Sequence, residues 1–358
     1  MEKPKFNKII SLQFLRAFAC LSVLFTHVLQ DLHIKPFGNY YVSGGYGVDL
    51  FFILSGFLIY LTTKNGESWK SFGIKRVFRI YPLYWLCVVL YFVWQIAYFD
   101  KEYSLLYYLQ NFLMLPWDGL LTTKSLVVGV AWSTVYEVYF YAVFTFLLLL
   151  KGQKKYVIPL LLILFIIFKI TYKLNLLNLN ENTTFQFFYS VTGFVHIVPF
   201  IFGILIAIYY QKPVIINAIL NFKFRKVFFV LFHFVYFYVA TFEYSALISY
   251  PISLTMFFLY LNLDYIFQVN YSSMLSKFFI KMGDISFSIY LVHVLMLSLI
   301  IDYFKITDLL SVTILAYAMS IGVSIITYQF IESPFINLAK QIIKSRKKEE
   351  RSTAPYTT

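Results

Sequence analysis

Long runs of apolar residues, separated by short polar segments, dominate the pattern of the 358-residue chain. A helix of roughly 20 apolar residues spans a bilayer. Arg16 and His27 lie in the first run and no small-residue cleavage site follows it, so we interpret it as a span rather than a signal peptide. The pattern predicts ten membrane-spanning helices, at 9–29, 46–62, 81–99, 127–150, 156–172, 187–210, 227–242, 244–262, 285–303 and 308–331.

Composition supports an all-α integral membrane protein. The chain is 60% hydrophobic and 13% charged, whereas a soluble domain is about 45–50% apolar and about 25% charged. These values exclude a soluble enzyme, a disordered chain and a nucleic-acid-binding module. The apolar runs are also too long for the strands of a membrane barrel. Cys20 and Cys87 both fall inside apolar runs, so the sequence predicts neither a disulfide framework nor a metal site.

The basic residues predict the orientation of the bundle. With the N-terminus in the cytoplasm, 23 Lys and Arg residues fall in inside segments and 5 in outside segments. Because cytoplasmic loops are enriched in Lys and Arg, this asymmetry predicts that both termini are cytoplasmic. The net charge of +13 therefore indicates topology rather than a polyanionic partner. We expect one transmembrane domain over 1–339, a basic cytoplasmic tail over 340–358, and amphipathic helices at 213–226 and 265–281 along the inner face.

Arg16 and His27 are ionisable groups inside the first predicted span. Eleven residues separate them, which is about 20° past three full turns, so both side chains face one side of the helix, about 16 Å apart along its axis. Ionisable side chains in hydrocarbon are costly and usually mark a pathway or a site. The structural alternative is that Arg16 pairs with a neighbouring carboxylate and His27 hydrogen-bonds a carbonyl near the outer interface.

Two acidic residues also fall in predicted spans. Asp49 begins the second span, and Gly56, seven residues later on the same face, permits close helix packing. Asp49 is either a site residue, a helix cap or a solvated group. Glu137 lies near the middle of the fourth span and shares a face with Ser133. An ion pair between Glu137 and Arg16 is the structural alternative to a catalytic role.

The ninth predicted span carries Ser286, Tyr290 and His293 at helical spacing. We place His293 in the cytoplasmic half of this span, as either a site residue or a hydrogen-bonded core histidine. His196 and His233 lack such polar neighbours, so we interpret them as structural.

Three cations precede the third predicted span. Lys75, Arg76 and Arg79 lead into Tyr81 and Pro82. Arginine binds phosphate through two parallel hydrogen bonds, so a pair of arginines at the inner face is suited to an anionic cofactor. The alternative is that these cations only signal topology.

These motifs together resemble acyltransferase family 3, the membrane acyltransferases typified by O-antigen acetylases. Arg16 and His27 match the family's Arg-x10-His spacing, Glu137 matches the glutamate after Trp-Ser, and Arg76 and Arg79 match its loop arginines. No single motif is specific for this family, but the order and spacing of the motifs together are specific for it. The motifs occupy residues 15–27, 47–57, 76–84, 132–141, 286–293 and 331–335.

The resemblance implies a multi-pass enzyme of the bacterial cytoplasmic membrane. Its donor would be a cytoplasmic acyl-CoA, most often acetyl-CoA, and its acceptor a hydroxyl of a cell-surface or exported polysaccharide. Relatives often carry a second acidic residue where this chain has Val138, which argues against a mechanism with two carboxylates. No hydrolase-like domain follows the last span, so we expect the membrane unit to act alone or with a separate protein. A homo-oligomer is left open.

The expected chemistry assigns a role to each residue type. O-acylation requires a general base and stabilisation of an oxyanion. We expect His27 to be the base, Arg76, Arg79 and Lys75 to bind the CoA phosphates, and Arg16 to guide the pantetheine arm or stabilise charge. Glu137 would orient or compensate Arg16 or His27. The secondary candidates are Asp49, Ser133, Tyr290 and His293.

Two other functions remain compatible with buried polar residues. A transporter or flippase for a polysaccharide or lipid-linked glycan could use them as a proton relay, although we find no inverted repeat. A polysaccharide polymerase would need cation-rich outside loops, whereas the outside loops here are cation-poor.

Overall fold

The computed structural model describes residues 9–35, 44–63, 67–115, 126–149, 163, 166, 197–210, 223–241 and 245–352. All regular elements in these ranges are helices. The first half contains α1 (Ser11–Asp31), α2 (Gly45–Thr63), α3 (Trp69–Phe99), α4 (Leu105–Phe112), α5 (Trp132–Leu149) and α6 (Ile197–Tyr209). The second half contains α7 (Arg225–Ala240), α8 (Ala246–Leu261), α9 (Leu263–Phe267), α10 (Met274–Asp284), α11 (Ser286–Ser298), α12 (Leu309–Thr327) and α13 (Ser333–Ser352).

Six helical segments in the described ranges are long and apolar enough to cross a membrane. They coincide with the first, second, third, fourth, ninth and tenth predicted spans. The eighth and part of the sixth correspond to the shorter apolar helices Ala246–Leu261 and Ile197–Tyr209, and α7 corresponds to the seventh. The fifth, 156–172, lies outside the described residues except for two helical positions. The chain is therefore a multi-pass membrane protein, and ten spans stays a prediction.

The structure changes the predicted boundaries of the third and tenth spans. Helix α3 begins at Trp69 and runs through Pro82, so Lys75, Arg76 and Arg79 lie inside it rather than before it. Ser68 caps this helix by accepting a hydrogen bond from the Ser71 N–H. Helix α12 continues through a π-helical segment, Tyr328–Glu332, into α13. The predicted division at 339/340 therefore falls within one helix.

The amphipathic pattern of segment 265–281 predicted a helix along the inner face. In the structure this segment is divided between two helices. Residues 268–273 separate α9 from α10, and α10 packs closely on α1. A Cβ at Gly283 would meet the Gln13 carbonyl oxygen at 2.3 Å, so only glycine permits this approach. Most of 213–226 lies outside the described residues.

Helix α1 forms the centre of the bundle, in contact with α2, α8, α10, α11 and α12. Its buried residues contribute to all three apolar clusters of the core. The closest crossing is that of α2 and α6, where Gly56 and Gly203 each face the backbone of the other helix. This crossing confirms the close packing predicted for Gly56. Because α1 is surrounded by other helices, its polar residues face protein rather than lipid.

Candidate functional site

A cavity of about 110 Å³ lies among α1, α2, α3, α5 and α11. Every one of these helices contributes a polar side chain to it. Six predicted site residues line this intramembrane cavity: Arg16, Arg76, Arg79, Ser133, Glu137 and Tyr290. The fold thus brings together predicted site residues that are up to 274 positions apart in the chain.

The cavity's arginines have donors that no described residue accepts. Arg76 lies over the rings of Phe72 and Tyr141, with its guanidinium carbon 5.0 and 4.8 Å from the ring centroids. The Nε atoms of Arg76 and Arg16 are buried, and neither has a hydrogen-bond partner in the described part of the chain. Both side chains line the cavity, where their positive charge suits an anionic ligand.

Glu137 is held by hydroxyl groups. Its Oε1 accepts hydrogen bonds from the Ser55 hydroxyl of α2, at 3.3 Å, and from Tyr141 one turn along α5. These donors keep the carboxylate at the cavity wall without neutralising it. The ion pair with Arg16, considered as a structural alternative, is not what holds this side chain.

Ser133 and Tyr290 join α5 to α11 at the cavity. Their hydroxyl oxygens are 2.7 Å apart, and the Tyr290 hydroxyl donates to the Val130 carbonyl at 2.9 Å. The Val130 carbonyl is closer to the Tyr290 hydroxyl than to the Ser133 hydroxyl, which lies 3.4 Å from it, so this geometry favours Ser133 as the donor to Tyr290. This arrangement fixes the wall of the cavity that faces His293.

His27 and His293 lie side by side, outside the lining of the cavity. Their ring centroids are 5.0 Å apart. Cys20 donates to the Ser286 carbonyl at 3.3 Å, and each histidine lies seven residues further along its helix. Helices α1 and α11 therefore run in the same direction here, and His293 is level with His27 rather than nearer Arg16, as the sequence had suggested.

Two predicted site residues lie away from the cavity. Asp49 is fully buried and accepts a hydrogen bond of 2.5 Å from the Ser249 hydroxyl of α8. Lys75 is half exposed and forms an ion pair with Glu67 at 2.5 Å. Donor binding by Lys75 and a site role for Asp49 stay predictions, without support from the cavity's geometry.

Glu332 is a buried acidic residue outside the lining of the cavity that the sequence analysis did not single out. It is 2% exposed, ends the π-helical segment, and accepts a hydrogen bond of 2.8 Å from the Ser288 hydroxyl. Its charge acts on the guanidinium groups of Arg79 and Arg16. The signal was present in the 331–335 motif, where the glutamate falls at the edge of a predicted span.

The comparisons with known proteins decide the family. The sequence pattern of the acyltransferase domain of acyltransferase family 3 matches residues 9–329, most of the chain. The chain belongs to acyltransferase family 3. A protein of Acidianus two-tailed virus named "Putative acetyltransferase ORF330" is 38% identical over 91 residues, which cover 25% of this chain and 27% of that protein. No solved structure matches the chain.

Family membership and the helices together show a membrane protein of an acyltransferase family. The three cavity arginines lie at the positions where the sequence resembles the family, and the structure gathers them around Glu137. In the described ranges, no group of three or more His, Cys, Asp and Glu side chains is arranged to hold a metal ion.

Proposed function

We propose that this membrane acyltransferase moves an acetyl group from cytoplasmic acetyl-CoA to a hydroxyl of a cell-surface or exported polysaccharide. The observation that carries the proposal is the intramembrane cavity, where Arg16, Arg76 and Arg79 meet in a member of an acyltransferase family. The name of the viral relative supports acetyl as the transferred group. The basic inside segments support a bacterial cytoplasmic membrane with both termini in the cytoplasm.

The arginines suit the donor's chemistry. Acetyl-CoA carries its phosphates at one end and its thioester at the other, so its binding site needs cations that are spaced along a path. Arg76 and Arg79 on α3 would hold the phosphates. Arg16, on α1 and on the wall of the same cavity, would meet the thioester arm further in.

His27 is the general base of the proposed reaction. It lies about 16 Å beyond Arg16 along α1, towards the outer face in the predicted orientation. A neutral imidazole removes the hydroxyl proton as the acceptor oxygen bonds to the acetyl carbon. Arg16 or another donor would stabilise the negative charge that develops on the carbonyl oxygen. Glu137, which Ser55 and Tyr141 hold by hydrogen bonds, would orient or charge-compensate Arg16 or His27.

A donor assay tests this proposal. The purified protein in detergent is mixed with acetyl-CoA and an acceptor polysaccharide, and free CoA thiol and bound acetyl are both measured. We expect wild type to release CoA and acetylate the acceptor, and His27→Ala to do neither while still accumulating in membranes. His233→Ala is the matched control, because this histidine is hydrogen-bonded elsewhere in the bundle. Equal activity of His27→Ala and wild type would contradict the role of His27.

A further inference from the structure

His293 has one ring nitrogen anchored and the other buried without a partner. Its Nδ1 lies 3.1 Å from the carbonyl oxygen of Ile289, one turn earlier in α11. A carbonyl oxygen only accepts hydrogen bonds, so Nδ1 carries the proton and Nε2 of the neutral ring is an acceptor. The side chain is 1% exposed, and its Nε2 has no hydrogen-bond partner within the described ranges.

His233 shows what a satisfied histidine looks like in the same bundle. Its Nδ1 also lies near the carbonyl oxygen one turn earlier, that of Phe229, at 2.7 Å. Its Nε2, however, lies 3.0 Å from the Tyr260 hydroxyl. The two histidines share the backbone anchor and differ only at Nε2. The unused acceptor of His293 is therefore a feature of its position rather than of histidines in these helices.

The ring of His27 is the neighbour that can donate a hydrogen bond to Nε2 of His293. The two centroids are 5.0 Å apart and the ring planes are inclined by 49°. Two imidazoles joined edge to edge by one N–H···N hydrogen bond of about 2.9 Å have centroids roughly 5 Å apart. The separation thus fits one hydrogen bond after a small rotation of either ring. Tyr290 lines the cavity and its ring centroid is 5.9 Å from that of His293, so the pair lies next to the cavity wall.

We infer that His293 is a positioning residue for His27: its Nε2 accepts the N–H of His27 and leaves the second His27 nitrogen bare. This inference rests on the proposed function. A histidine that acts as a base needs one ring nitrogen fixed as a donor and the other free as an acceptor. A neighbouring group that accepts a hydrogen bond from the first nitrogen commonly fixes this tautomer. His293 supplies that group here, since its own tautomer is set by the Ile289 carbonyl.

The proton follows one path in this arrangement. His27 takes the proton of the acceptor hydroxyl on its bare nitrogen while the hydroxyl oxygen bonds to the acetyl carbon. The carbon–sulfur bond of the thioester breaks, and His27 returns the proton to the departing CoA sulfur. During the step His27 is an imidazolium, whose N–H donates to His293 more strongly than that of a neutral ring.

Two substitutions separate positioning from structure. His293→Asn places an amide where Nδ1 was, so it keeps the Ile289 contact and loses the acceptor. His293→Gln reaches further and returns an oxygen to the place of Nε2. We expect His293→Asn to lower kcat on the order of tenfold to hundredfold with KM for acetyl-CoA unchanged, and His293→Gln to recover most of kcat. His233→Asn and His233→Gln, the controls, should leave both parameters unchanged.

The outcomes distinguish this inference from the proposed function. Wild type that transfers no acetyl, with His27→Ala indistinguishable from it, contradicts the proposed function. Active wild type, inactive His27→Ala and fully active His293→Asn overturn only the role of His293. A purely structural role would make Asn and Gln equally harmful or change KM and kcat together.

The tautomer of His27 can be measured by NMR without any variant of His293, so this test does not depend on whether such a variant folds. Wild type with ¹⁵N-labelled histidine has five rings with two nitrogen signals each to resolve, and His27→Ala identifies the pair of signals that belongs to His27. We expect His27 to show one fixed tautomer with a hydrogen-bonded N–H. Rapid exchange between its two tautomers would overturn the inference.

Discussion

The crossing of α2 and α6 predicts that one added methyl group outside the lining of the cavity will disturb the cavity. A Cβ at Gly203 would lie 2.0 Å from the Ile53 carbonyl oxygen, and a Cβ at Gly56 would lie 2.0 Å from the Phe200 carbonyl oxygen. Real Cβ atoms essentially never come within 3.0 Å of another heavy atom. Gly203→Ala must therefore push the two backbones apart by about 1 Å. Because both obstacles are backbone atoms, no side chain can move aside instead.

The structure gives the cost of this separation. Overpacking a well-packed interior costs typically about 1–3 kcal/mol, and a rigid backbone obstacle places Gly203→Ala at the upper end. About 3 kcal/mol is roughly a hundredfold change in the ratio of folded to unfolded protein. Ser55 lies next to Gly56 and donates to Glu137 at 3.3 Å, near the limit for a hydrogen bond. A 1 Å shift of α2 breaks this contact, so transfer activity should fall together with stability.

Two buried free cysteines supply the assay. Cys20 and Cys87 are unreactive in the folded bundle, so a thiol-reactive fluorescent dye reports unfolding on heating in detergent. Gly322→Ala is the matched control, because a Cβ there meets nothing within 4 Å. We expect Gly203→Ala to melt well below wild type and Gly322→Ala to melt at or slightly above it. Equal melting of both variants would refute the reasoning about the crossing.

Three further predictions concern the cavity and the histidines. His27→Ala should abolish acyl transfer without loss of membrane insertion, because it removes the general base; normal acetylation by this variant would exclude that role. Arg76→Ala with Arg79→Ala should weaken CoA binding by about 1.5–3 kcal/mol for each charge-assisted contact, and an unchanged affinity by calorimetric titration would refute phosphate binding. Glu332→Gln should destabilise the protein more than Ser288→Ala does, since it removes a buried negative charge that acts on the guanidinium groups of Arg79 and Arg16. Ser288→Ala removes one hydrogen bond and should cost less, about 1.5–3 kcal/mol; equal thermal shifts would contradict this account.

Hydropathy and helical periodicity predicted much of the fold because they are local properties. The first span and the shared face of its polar residues follow from residue spacing alone, and α1 lies close to its predicted place. The start of α3 was not predictable in this way. Its basic residues interrupt the apolar run, yet helix formation depends on backbone hydrogen bonds and on the Ser68 cap, which apolar content does not report.

Relations between helices required the structure. Periodicity gives the position of His293 along α11. Its height relative to His27 depends on how α1 and α11 pack, and the contact between Cys20 and the Ser286 carbonyl shows that packing. Glu332 was missed for the same reason. Its partner Ser288 lies 44 residues away, and its two guanidinium neighbours are further still. Tyr141 is the exception, since its spacing of four from Glu137 was available in the sequence.

Acetyl transfer to a surface glycan is the central claim, and the O-acetyl signals in the NMR spectrum of that glycan test it most directly. The spectrum is taken from a strain that lacks this protein and from the same strain supplied with wild type, His27→Ala or His233→Ala. We predict that wild type and His233→Ala restore the O-acetyl signals and that His27→Ala does not. Signals that are identical with and without the protein would contradict acetyl transfer to the glycan and favour transport or another acceptor.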